Sequence, residues 1–341
     1  MRFAVLPYTE PAWNLAAEEY LLLSSHEDVC LLWRGAPSVI IGRNQNAYAE
    51  LDVGFAEREK ITVCRRLTGG GAVFHDLGNV NFTFLTDAVP GASLDFGRFL
   101  DPVVRALRDM GVPAEKSGRN DILAHGRKIS GNAQCVMRAP DGTERLLHHG
   151  TLLFSADISR MTGVLRADPA KLASKGVGSV KSRVCNIAAI ETYRGPRDVL
   201  GFMDAIGRAL GESADCRPLS DGEMRDIAAL RDAKYATWAW NFGESKAYEV
   251  SRKTRFPFGS VTLAFSAERG VLTAVSVTGD FFGTRPVETL EAALLGCRLE
   301  KAALDTVLTD ELVGGVVAGM TAADFAALFF PAAENDKEVA R

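Results

Sequence analysis

Hydrophobic and polar positions alternate from Arg2 to Leu6, a period of two that predicts a strand. A helical period follows from Pro11 to about Leu23, where Leu15, Ala16, Tyr20 and Leu23 recur, and Pro11 suits the first helical position because no N–H is needed there. Val29 to Trp33 and Ser38 to Ile41 are short apolar runs broken by Gly35-Ala36-Pro37, which predicts a β-hairpin. Asp52 to Lys60 reads as a short exposed helix leading to a strand over Ile61 to Cys64. Asn81 to Thr86 alternates again. Between Ser93 and Met110, Phe96, Phe99, Val103, Val104, Leu107 and Met110 fall at helical spacing, stopped by Gly111-Val112-Pro113. Ile122 to His125, Lys128 to Cys135 and Arg145 to Ser155 read as strands, and Arg197 to Leu210 and Asp221 to Asp232 as helices. Strands arrive in hairpins more often than in strand-helix-strand alternation, so the expected class is α+β, with mixed or antiparallel sheets flanked by helices.

Between Asp232 and Lys246 the pattern breaks into a turn-rich aromatic stretch that includes Trp238-Ala239-Trp240-Asn241-Phe242-Gly243. Strands are then predicted at Ala247 to Val250, Ser260 to Phe265 and Val271 to Val277, with helices at Val287 to Leu295 and Thr321 to Phe330 and a polar tail from Glu334. A chain of 341 residues exceeds the length at which one core usually keeps growing. The expected organisation is therefore a catalytic domain over 1–235 and a small α+β domain over 246–341.

Composition narrows the function classes. Hydrophobic residues make up 47% and charged residues 24%, as in an ordinary globular protein rather than a disordered one. A net charge of -4 gives no general attraction to nucleic acid, although Arg119, Arg127 and Lys128 can form a local basic cleft. Six scattered cysteines without a CxxC pair point to reduced thiols, not a disulfide frame or a zinc site. The N-terminus lacks the features of a signal peptide, and no apolar run approaches the roughly 20 residues that span a bilayer. The expectation is a soluble, cytoplasmic protein without membrane partners.

One stretch carries candidate chemistry: Arg65-Arg66-Leu67-Thr68-Gly69-Gly70-Gly71-Ala72-Val73-Phe74-His75-Asp76-Leu77-Gly78-Asn79. Consecutive glycines suit a sharp turn or a close backbone approach, and N–H groups freed there, beside a guanidinium, suit phosphate or carboxylate oxygens. The same glycines also suit a plain hairpin between strands. The loop has neither the Lys-Ser/Thr ending of a P-loop nor a dinucleotide fingerprint. His75, His148 and His149 are poor joint metal ligands, because His148 and His149 face opposite sides of a strand; His75 and Asp76 instead suit a structural hydrogen-bonded pair.

Further blocks follow in register: Ser117-Gly118-Arg119-Asn120-Asp121-Ile122, Gly126-Arg127-Lys128-Ile129-Ser130-Gly131-Asn132-Ala133-Gln134 and His148-His149-Gly150-Thr151-Leu152. With GGGAVFHDLGN after an arginine pair, they resemble the lipoate-protein ligase A family, from Trp13 into the C-terminal region. Gly42-Arg43-Asn44-Gln45-Asn46 is similar to that family's IGRxQN segment, and Trp238 to Gly243 to its accessory-domain entry.

The resemblance implies an ATP-dependent ligase that makes lipoyl-AMP from lipoate and MgATP. It then passes the acyl group to a lysine of apo lipoyl-domain proteins, either E2 subunits or glycine cleavage H protein, and acts as a monomer. It assigns the catalytic role to Lys128, between acyl carbonyl and phosphate. Arg66, Gly69, Gly70, Gly71, Ala72, Val73, Phe74, Asn120, Asp121 and Lys128 are implied to hold the adenylate, Lys128, Gly70 and Gly71 the lipoate, and Asp121 the Mg²⁺. Thr68 stands where the family more often has serine, and either supplies a hydroxyl. The segment ending in Ser182-Arg183-Val184-Cys185-Asn186 matches a mobile loop, with Lys175, Lys181 and Arg183 as its cations. Two alternatives are a cysteine-dependent octanoyltransferase using Cys135 or Cys185 without ATP, and a non-catalytic adenylate- or lipoate-binding protein.

Overall fold

The computed structural model of the chain describes residues 1–45, 47–89, 94–118, 120–165, 183–212, 214–242, 250–268, 270–299 and 301–329. They fall into two compact units. The first holds the described residues through Phe242 other than Asn44, Gln45 and Gly69–Gly71; the second holds those residues and the described ones from Val250 onward.

The first unit contains strands β1 (Arg2–Val5), β2 (Val29–Trp33), β3 (Ser38–Ile41), β4 (Thr62–Arg65), β5 (Val73–His75), β6 (Asn79–Asp87), β7 (Ala114–Ser117), β8 (Asp121–Ala124), β9 (Arg127–Arg138), β10 (Glu144–Leu153) and β11 (Asp215–Cys216). Its helices are α1 (Pro11–Ser24), α2 (Ala47–Glu50), α3 (Val53–Arg58), α4 (Gly97–Asp109), α5 (Ile158–Val164), α6 (Val199–Gly211), α7 (Asp221–Leu230) and α8 (Trp238–Asn241). Eight strands form one sheet in the order β11-β1-β2-β6-β10-β9-β8-β7, and β4-β3-β5 form a second. In the large sheet β1 runs parallel to β2 and β11, and all other pairs are antiparallel. This is the mixed, hairpin-rich α+β class that the sequence predicts.

Helix α1 lies in the core of this unit, and its packing explains why so little of it is polar. It meets β6 and β10 of the large sheet, β4 of the small sheet and α7, so nearly every side chain from Pro11 to Leu22 is buried. Two of those side chains, Glu18 and Glu19, are carboxylates, and each finds buried donors on a different side of the helix. The opposite face of the large sheet is covered by α4 and α6, where Phe82, Phe84, Phe99, Phe154 and Phe202 pack.

Three local expectations are corrected. Val29 to Trp33 and Ser38 to Ile41 are not a hairpin: β1 and β6 occupy both edges of β2, leaving no edge for β3, which pairs with β4 and β5. At the break, Ala36 N donates to Thr9 O at 2.7 Å and Thr62 N to Pro37 O at 3.1 Å, so the chain crosses from one sheet to the other. Second, Val73 and Phe74 are not loop residues; they pair with Ile40 and Val39 in β5. Third, the segment from Asp157 to Arg183, which its polar composition suggests is a solvated connection, begins as helix α5, with the Asp157 carboxylate accepting from Ser159 N and Arg160 N.

The second unit contains the antiparallel sheet β12 (Val250–Phe256), β13 (Gly259–Glu268) and β14 (Val271–Gly279), with α9 (Val287–Leu294), α10 (Lys301–Val307), α11 (Asp310–Val316) and α12 (Ala322–Ala327). Leu263, Val277, Phe281, Leu290, Val316 and Phe325 form its core. The sequence reading missed β12, α10 and α11. Strand β12 is a mostly polar edge, and each of the two helices has only seven residues, too short for a clear period. The predicted strand residues Ala247 to Glu249 lie outside the described residues.

Candidate functional site

Strand β9 runs between β8 and β10, and an irregularity in its pairing with β8 aims one side chain. Ile122 pairs with Ser130 and Leu123 with Lys128, so Ile129 is an extra residue. In a regular strand residues three apart point to opposite faces; one bulged residue returns Lys128 and Gly131 to the same face. The lysine side chain accordingly lies across Gly131. A Cβ built on that glycine would stand 2.6 Å from Lys128 Nζ and 2.8 Å from Cε. Asp121 is the register partner of Gly131, and its Oδ1 is 2.7 Å from Lys128 Nζ. Both ends of this ion pair are partly exposed, the lysine at 31% and the aspartate at 20%. On the backbone side, Cys185 N donates to Lys128 O at 3.1 Å and Val184 bridges to Lys128.

The neighbouring part of the same sheet face is sealed. Gly131 N donates to Thr151 Oγ1 at 3.2 Å; two residues earlier on β10, His149 Nε2 lies 2.8 Å from Thr68 Oγ1. His149 Nδ1 sits 3.0 Å from Glu18 Oε2, Thr83 Oγ1 donates to Glu18 Oε1 at 2.5 Å, and Trp33 Nε1 donates to Thr83 Oγ1 at 3.1 Å. Arg66 Nε donates to Thr68 Oγ1 at 2.9 Å and Nη1 to Ile40 O at 3.0 Å. The result is a buried polar chain from Arg66 through Thr68, His149, Glu18 and Thr83 to Trp33. Burial pulls the Arg66 guanidinium down to about 10, partly opposed by Glu18; it stays charged at neutral pH.

Arg65, the first arginine of the pair that precedes the glycines, meets other partners. Its guanidinium donates to the carbonyls of Gly42, Arg43, Trp240 and Asn241 at 2.9 to 3.1 Å. Trp240 Nε1 returns a bond to Arg65 O at 2.9 Å, and Asn241 Oδ1 accepts from Arg65 N at 2.8 Å. The aromatic stretch is thus tied to β4. The resemblance singles out Arg66 alone for the adenylate, but no local pattern shows what Arg65 does, because the carbonyls it meets come from remote segments.

The remaining sequence candidates are distributed as follows. Gly69, Gly70 and Gly71 group with the second unit, where Gly70 has φ +89° and its N–H donates to Phe281 O at 2.9 Å. A Cβ on Gly69 would come within 2.1 Å of Phe281 O, a concrete reason for glycine there. Ala72 is half-buried, Val73 lies on β5, and the Phe74 side chain is core packing. Asn120 ties its own turn to β9: its Nδ2 donates to Asn132 O at 2.6 Å, and its carbonyl accepts from Asn132 N at 3.0 Å. Arg183 is half-buried just ahead of the residues that flank Lys128, whereas Lys175 and Lys181 lie outside the described residues.

His75 and Asp76 are not the hydrogen-bonded pair that the sequence suggests. Both His75 ring nitrogens are buried without a hydrogen-bond partner among the described residues, and burial depresses its pKa to about 3, while Asp76 accepts from Gly78 N and Asp157 N at 2.8 and 2.7 Å. His148 points to the other face of β10, between Phe82 and Phe99, so it cannot join His149 on one ion. Among the described residues there is no cluster of three or more His, Cys, Asp or Glu able to hold a metal. The two candidate thiols are buried: burial pushes Cys135 up to about 12 and raises Cys185.

Residues 10–210 match the lipoyl protein ligase A/B catalytic domain, and residues 245–329 match the bacterial lipoate protein ligase C-terminus. Lipoate–protein ligase 1 of Staphylococcus aureus is 40% identical over 293 residues, 85% of this chain and 87% of that protein. The fold is similar to a bipartite lipoate protein ligase of Thermoplasma acidophilum, described with its E2 lipoyl domain, at a TM-score of 0.60 and 27% identity over 73% of this chain and 98% of that one. It is also similar to a lipoate-protein ligase A bound with ATP, at a TM-score of 0.58 and 27% identity over 71% of this chain and 99% of that one.

Proposed function

This chain belongs to the lipoate-protein ligase family, and from that premise we propose that it activates lipoate with MgATP and transfers the acyl group to a lysine of a lipoyl domain. In the first step a carboxylate oxygen of lipoate attacks the α-phosphorus of ATP; the bond to the bridging oxygen breaks and pyrophosphate leaves. In the second, the neutral ε-amine of the acceptor attacks the acyl carbon, AMP departs with the bonding pair, and the amine loses a proton. The mixed anhydride is already activated, so no covalent enzyme intermediate is required.

The observation that carries this reading is the placement of Lys128. Two anions must meet in the first step, and a compact cation between them offsets their repulsion as charge builds on the phosphate. The Lys128 ammonium is partly exposed, aimed by a bulge and paired with Asp121. An incoming phosphate or carboxylate can take over the ammonium from Asp121, whose carboxylate would then be available to hold the Mg²⁺ of MgATP. One carboxylate suffices for Mg²⁺, which usually keeps phosphate and water ligands. The stretch from Ala72 to Phe74 and the turn of Asn120 supply the remaining nucleotide contacts, and Arg66 acts by fixing Thr68. Lys128 meets the lipoyl carboxyl end.

A cysteine-thioester route is poorly served by these residues. The thiolate is the nucleophile, and burial raises both Cys135 and Cys185 away from it. No described helix is long and apolar enough to cross a membrane. The acceptors we assign are apo E2 lipoyl domains and glycine cleavage H protein, met by a monomer in the cytoplasm.

The test is reconstitution. Pure protein, ATP, Mg²⁺, lipoate and an apo lipoyl domain are combined, and each is omitted in turn. The acceptor gains the lipoyl mass only in the complete mixture. A gain from octanoyl carrier protein without ATP overturns the ligase reading in favour of acyl transfer, and no gain from either donor favours a binding protein.

A further inference from the structure

We infer that Gly131 is a positioning residue for the Lys128 ammonium: the missing side chain at 131 is the floor on which the lysine lies. The inference rests on the role proposed for Lys128 and concerns what holds it. Three observations converge. The bulge at Ile129 puts residues 128 and 131 on one sheet face. The place of a Cβ on residue 131 is filled by the end of the lysine, 2.6 Å from Nζ and 2.8 Å from Cε. Asp121, directly opposite Gly131 in register, closes the far side at 2.7 Å. Floor, wall and lysine backbone are all held by β8, β9 and the bond from Cys185 N.

The backbone itself does not ask for glycine here. Gly131 is not among the residues with positive φ, and the atoms that a Cβ would meet within 3 Å are the far end of one flexible side chain. An alanine can therefore be accommodated by moving the lysine and nothing else. The strand stays paired, and the ammonium leaves its place over Asp121. This separates Gly131 from Gly150 on the neighbouring strand, where a Cβ would strike the Asn132 carboxamide at 1.9 Å and the Phe82 ring at 2.4 Å, both buried packing.

The test combines kinetics with a direct view of the lysine. Gly131→Ala is expected to melt with the wild type and to lower kcat for adenylate formation about a hundredfold, the scale of a misplacement of about 1 Å, with KM for lipoate and ATP little changed. In a Lys128→Ala background the same change should cost nothing further, because the group it displaces is absent. In protein labelled with ¹⁵N-lysine, the Lys128 Nζ resonance, identified by its loss in Lys128→Ala, should shift in Gly131→Ala. This last arm needs no turnover: if the wild type fails to ligate, the reaction assigned above fails while the resonance still decides the placement. An unshifted resonance, a wild-type rate, or a full additional loss in the double variant overturns the inference. Should Gly131→Ala unfold, the double variant with Lys128→Ala is expected to fold, since the clash is removed. Unfolding of both overturns it as well.

Discussion

Two stretches of one sheet face hold the polar side chains of the candidate site, and they are built on opposite plans. From Arg66 to Trp33 every member of the chain is buried and hydrogen-bonded to the next, and Glu18 accepts from both His149 and Thr83. Around Lys128 there is one partly exposed ion pair over a bare glycine. A sealed network in low dielectric is rigid and costly to disturb, because any partner removed leaves a buried group unsatisfied. A partly exposed pair exchanges partners at little cost. The first plan suits a foundation and the second a group that must trade a carboxylate for a substrate. Cation content alone does not tell the two apart, since both contain one.

The contrast can be broken from either side. The largest effect is expected in the sealed part: Glu18→Ala leaves His149, Thr83 and the Arg66 charge without their counterpart and should cost about 3–5 kcal/mol, read by urea unfolding. A loss below about 1 kcal/mol would show that the chain is not the foundation described. In the open part, Lys128→Ala should leave the unfolding midpoint unchanged and slow adenylate formation by about 10²–10³, equivalent to roughly 3–4 kcal/mol of transition-state stabilisation. A variant that unfolds early while turning over normally would invert the comparison.

A pH-dependent effect, absent at neutral pH, comes from His75. Its folded pKa is depressed to about 3 from 6.5 by burial, so the unfolded chain binds the extra proton first. Stability from this group is complete above pH 6.5 and is lost as pH falls toward 3, at about 1.4 kcal/mol per pH unit. His75→Gln should flatten that part of the stability profile, and an unchanged slope would remove His75 as the cause. The smallest effect is expected from changing Cys135 and Cys185 together to serine, which should leave ATP-dependent ligation within about threefold of wild type because no thiol enters the chemistry. Loss of ligation in a folded variant, with a thioester trapped in the wild type, would reverse the assignment.

Much of the fold was legible because periodicity reports burial directly. Helix α1 and strands β6, β8, β9 and β10 stand within a few residues of where alternation places them. What failed depended on partners far away in the chain. The apolar runs of β2 and β3 looked like a hairpin, yet β2 was already flanked by β1 and β6. The candidate site was legible only as an order of motif blocks, which singled out Lys128 and Asp121 as candidates but not why residue 131 carries no side chain. A bulge changes which face a residue points to without changing composition, so no reading by period could have found it. Glu18 was invisible for a related reason: a carboxylate in an apolar helix reads as a solvent-facing residue until His149 and Thr83 arrive from other strands.

The most direct measurement of the central claim is isotope exchange between pyrophosphate and ATP in the protein alone, with lipoate and Mg²⁺ and no acceptor. It isolates the first half-reaction, in which we propose that Lys128 offsets the charge of the two reacting anions. Exchange is expected to require lipoate and to fall by about 10²–10³ in Lys128→Ala while the fold is retained. Exchange at the wild-type rate in that variant, or its absence from a wild-type protein that still acylates a lipoyl domain, would contradict it.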